Sequence, residues 1–158
     1  NSETEKTETI NEVDVTKSVC YLLGIEPYSG TIDNTFSRVS LVNATTVKAE
    51  RCATNGMPFP HTLLCVLEFS SGIASVQQGV ADIVGSPMFV DVTIDAVDIA
   101  KALLFYGGWS YGTDTVLTQV SAFIPRIELS NSETVRASRG SNSTTKHTYV
   151  GFTVLEFE

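Results

Sequence analysis

The sequence predicts a mainly β protein: an antiparallel β-sandwich or barrel of about eight strands, with one short α-helix near residues 95–106. Three observations carry this expectation. Short runs with period-two alternation recur along the chain, separated by breaks that contain Gly, Pro or Asn. Thr, Ser and Val are plentiful and Lys is scarce, a bias that suits pleated surfaces. Only one stretch changes to a helical period, and no repeat of fixed length appears. With 158 residues and 42% hydrophobic content, the chain can fill the core of one domain.

In chain order, residues 1–12 are polar and acidic with a single Ile, which predicts a flexible N-terminal arm ahead of one sandwich domain over residues 13–158. The chain begins at Asn1 without a charged and apolar leader, as a processed or truncated product would. Residues 13–25 fit strand and helix periods equally. Residues 35–42 and 46–52 alternate as strands around the turn Asn43-Ala44-Thr45. Asn55-Gly56 and two prolines break the chain over residues 53–60. Residues 61–70 are apolar at nearly every position, which predicts a central strand buried on both faces. Residues 73–84, interrupted by Gly79, predict one or two short irregular strands.

Residues 88–95 alternate most cleanly, with Met88, Val90, Val92 and Ile94 inward and Phe89, Asp91, Thr93 and Asp95 outward. The helix follows from a cap at Asp95, a box-like Asp98, and the stripe Ile99, Ala102, Leu103 and Tyr106 before Gly107-Gly108. Residues 107–114 then read as a glycine-punctuated loop, 115–124 and 126–130 as strands broken by Pro125, 131–145 as a mobile basic loop or loose hairpin, and 146–157 as the closing strand. The expected core comprises Leu64, Val66, Val90, Val92, Ile94, Val120 and Phe152.

Chemistry is sparse. His61 and His147 both open strands, and neither belongs to a G-x-S-x-G nucleophile elbow. Asp91, Asp95 and Asp98 lack the loop spacing and glycine hinge of a calcium site, and a helix N-terminus accounts for the last two. No Cys/His pair has zinc spacing. Gly107 to Gly112 follows the expected helix and so aims no helix N-terminus at a phosphate. No catalytic residue, metal or cofactor is expected. A net charge of −8 with scattered basic residues argues against sequence-specific nucleic-acid binding. No apolar run approaches the roughly 20 residues of a membrane-spanning helix.

What remains are contact and modification candidates. Trp109 and Tyr111 read either as aromatic anchors for a partner, with Trp109 partly accessible, or as loop aromatics folded back onto the core, and Arg136 and Arg139 as the basic part of a second contact loop. Cys52 and Cys65 face each other as a possible disulfide, and Asn43 and Asn142 begin glycosylation sequons. The reading is therefore a non-enzymatic structural subunit of a self-assembling particle or filament, such as a viral capsid or surface domain or a tail-tube protein. Copies of the chain are its partners, with a host receptor or glycan as an additional one, in a virion or extracellular assembly. The alternative is an extracellular recognition module resembling a lectin or adhesin.

Overall fold

Alternating side chains and close strand pairing account for nearly all regular structure in the computed structural model, which describes residues 4–26, 36–51, 59–112, 124–140 and 147–158. Among the described residues there are eleven strands: β1 Glu5–Thr9, β2 Ser18–Glu26, β3 Arg38–Asn43, β4 Thr46–Glu50, β5 His61–Glu68, β6 Ile73–Val84, β7 Phe89–Thr93, β8 Ala102–Gly112, β9 Pro125–Asn131, β10 Thr134–Arg139 and β11 His147–Phe157. They form a six-stranded sheet ordered β1-β4-β3-β8-β11-β6, a three-stranded sheet β7-β10-β9 and a two-stranded ribbon β2-β5. Every pairing is antiparallel. The architecture is compatible with a β-sandwich and is not a closed barrel. Among the described residues no helix is long and apolar enough to cross a membrane.

Two apolar clusters hold the sheets together. In the first, Val150, Phe152 and Val154 of β11 and Ala81 and Ile83 of β6 meet Val135 and Ala137 of β10, with Trp109 and Tyr111 of β8. Val90, Val92 and Ile94 pack half-buried against this cluster, as their alternation predicts, while Phe89, Asp91 and Thr93 face solvent. Met88, expected on the inner face, is exposed. In the second cluster, Val39 and Leu41 of β3 and Val47 and Ala49 of β4 meet Cys20 and Phe59, with Leu22, Leu64 and Val66 packed alongside. Val120 lies outside the described residues.

Glycines make two of these contacts possible. Gly79 stands opposite Phe152, and a Cβ there would lie 2.4 Å from the Phe152 ring. With that room β6 runs unbroken for 12 residues, where short irregular strands were expected. At the second place, Gly107 and Gly108 together oppose Gly151, a β-bulge that lies within β8. Before it Ala102, Leu104 and Tyr106 point to the core; after it Trp109 and Tyr111 do.

That bulge corrects two sequence expectations. There is no α-helix near 95–106, only a 3-10 turn, Ile99–Lys101, capped by Asp98, whose carboxylate accepts from the Ala100 N–H at 3.0 Å. Residues from Ala102 onward extend because β11 supplies a full ladder, and tertiary pairing outweighs a short apolar stripe that fits either period. The presumed glycine loop 107–114 is, as far as Gly112, the second half of β8. Two further expectations change. Of the stretch 131–145, expected as a mobile loop or loose hairpin, Thr134–Arg139 is β10, which pairs with β9 and is the central strand of its sheet, because Val135 and Ala137 alternate inward beneath a polar outer face. The presumed flexible arm carries β1, paired with β4 from Glu5↔Glu50 to Thr9↔Thr46. The ambiguous segment 13–25 resolves as strand β2 from Ser18.

Candidate functional site

Strand β5 and its partner β2 carry the most exposed apolar side chains of the described residues. Along β5, Leu64 and Val66 turn toward the second cluster, so Leu63, Cys65 and Leu67 turn the other way. Leu63 is 63% exposed and Leu67 40%. Beside them the β2 register shifts between Leu22 and Gly24, so Leu23 bulges out and is 55% exposed. Leu63 stands opposite Gly24, whose missing side chain leaves a groove of 450 Å³ lined by Ile25, Glu26, His61 and Thr62 as well. Among the described residues β5 is hydrogen-bonded to β2 alone. The expectation of a central strand buried on both faces is thus corrected: among the described residues β5 pairs with one strand only, and it is half-buried on one face.

Polar groups frame this face at its ends. His61 Nδ1 lies 3.5 Å from Glu26 at one end. At the other, Glu68 accepts from the Asp14 N–H at 2.8 Å, and Lys17 pairs with Asp14 at 3.4 Å. In the middle, Tyr21 stands opposite Cys65; its hydrogen bond to that thiol, with burial second, raises the phenol above its ordinary range. Cys20 points to the core, where burial, followed by the nearby Cys65, pushes its thiol up to about 12. Cys20 and Cys65 are free thiols, and Cys52, the expected partner of Cys65, lies outside the described residues.

The sequence-predicted contact residues are placed elsewhere. Trp109 is 5% exposed and stacks on Phe36 with ring centroids 3.9 Å apart. Tyr111 is buried as well. Neither is an exposed anchor, because the bulge turns both inward. Arg139 is buried, donating to the carbonyls of Gly85 and Pro87 and, at 3.2 Å, to Thr148 Oγ1. Burial lowers its pKa. Arg136 faces outward and forks onto Asp91 at 2.7 and 2.8 Å, over the Phe89 ring. With exposed Met88, Phe89 and Ile124 it borders a groove of 530 Å³ on the outer sheet. Asn43 sits at the exposed β3–β4 turn, accepting from Thr45 N–H at 2.9 Å; Asn142 lies outside the described residues.

One cluster has catalytic residue types. His147 Nδ1 lies 3.1 Å from Asp82 and 3.2 Å from the Tyr149 hydroxyl. Both contacts use the same ring nitrogen, which orients the imidazole. Among the described residues no hydroxyl or thiol is hydrogen-bonded to Nε2, where a nucleophile would have to sit. The three aspartates considered as a cation site are engaged separately: Asp91 with Arg136, the Asp95 backbone with Gln77, and Asp98 as a cap.

Comparison with protein-family models, curated proteins and solved structures finds no match for this chain, so its functional reading rests on its own residues.

Proposed function

We propose that the chain is a non-enzymatic structural subunit that assembles with copies of itself into a particle or filament, as capsid, surface-domain and tail-tube proteins do, in a virion or another extracellular assembly. One observation supports this most: β5, apolar at five consecutive positions from Leu63 to Leu67, half-buries Leu64 and Val66 on one face and leaves Leu63 and Leu67 of the other, with Leu23, exposed. An exposed apolar strand face costs free energy in a lone chain, and burying each large apolar side chain recovers about 1.5–3 kcal/mol. The recognition-module alternative has less support, because its aromatic loop is core and Cys65 is a free thiol.

Sedimentation velocity over a range of concentrations tests the proposal. The expected outcome is a species heavier than the 17.1 kDa chain that grows with concentration. A single 17.1 kDa boundary throughout contradicts it.

A further inference from the structure

We propose that two copies of the chain pair through β5, antiparallel about a two-fold axis at Cys65, merging their β2-β5 ribbons into one four-stranded sheet. This rests on the self-assembly reading above and names the contact. A two-stranded ribbon is marginal in water, and further strands with a covered apolar face stabilise it. Among the described residues the two strands of the ribbon pair only with each other; β2 also lies against β3 and β8, which leaves β5 the outer strand.

The sequence of β5 is self-complementary in that orientation. Leu63 and Leu67 each lie two residues from Cys65 on the outward face. Reversing one copy therefore sets Leu63 opposite Leu67 of the second copy, twice, with Cys65 facing its own counterpart. The same register sets Thr62 opposite Glu68, and no charged residue lies between His61 and Glu68 of either strand. In a chain of net charge −8, a contact with an uncharged middle minimises repulsion between copies.

The other edges of the large sheet are less suited. β1 carries Glu5, Lys6 and Glu8 within five residues, the kind of charge that discourages edge pairing. β6 is engaged at Gln78 by the Leu41 N–H and at Gln77 by the Asp95 backbone.

Mild oxidation of the full chain with diamide, which takes two thiols to one disulfide, reads the geometry. The expected product is a covalent dimer whose linked peptide joins Cys65 to Cys65. Cys65→Ser should abolish the link while leaving the sedimenting dimer in place. Leu63→Lys, at an exposed position, should weaken association about tenfold or more, with unchanged Trp109 emission showing an intact fold. A dimer that lacks the Cys65 link and ignores Leu63→Lys overturns β5 pairing and leaves the assembly reading standing. A monomer at every concentration overturns both.

Discussion

Gly108 sits at φ +84°, and a Cβ there would lie 2.5 Å from the Ser37 carbonyl oxygen and 2.8 Å from Leu22 Cδ2. Backbone conformation and space therefore both require glycine. Gly108→Ala should cost about 1–3 kcal/mol, seen as a lower urea midpoint at unchanged slope. Charge acts more gently at the surface. The Arg136 guanidinium, through its fork of hydrogen bonds, holds the Asp91 carboxyl below its ordinary value of 3.8. A depressed folded-state value means the pair stabilises the fold fully above that range and loses its effect as the pH falls below it. Asp91→Asn should therefore lower stability at neutral pH and narrow its difference from the parent chain below about pH 4. A gap that stays constant through that range contradicts the assignment. Arg139 differs: its Nε has no partner among the described residues, and burial opposes its charge.

Elements were readable where one side-chain period ruled without interruption. β3, β4, β7 and β11 follow from alternation in the sequence, and each lies close to its expected place. β8 was not readable because its center is a pair of glycines, which usually signal a turn and here form a bulge that keeps the strand going. β10 was obscured by Arg136, Ser138 and Arg139, whose polarity resembles a loop when the two inward residues are as small as Val135 and Ala137. β1 has five exposed residues and no apolar signal, so only its backbone ladder to β4 defines it. The proposed contact site was legible in one respect. The continuous apolar run of β5 signals burial on both faces, and the folded chain half-buries one of them. The expected aromatic anchors failed for the same reason as β8: the bulge reverses which residues point inward.

At the scale of the whole molecule, the three sheets of the described residues leave edges and apolar side chains that a closed barrel would have hidden. Net charge of −8 keeps copies apart everywhere except where a surface is uncharged and apolar. The outward face of β5 meets that description, with polar groups at its two ends and leucines between. Amide hydrogen exchange of the intact chain, compared at high and low protein concentration, tests this most directly, since pairing would occupy the outer edge of β5. The account predicts that amides within His61–Glu68 are protected at high concentration and lose that protection on dilution, while β11 exchanges equally slowly in both. Equal exchange across β5 at the two concentrations, with the chain demonstrably associated at the higher one, would contradict it.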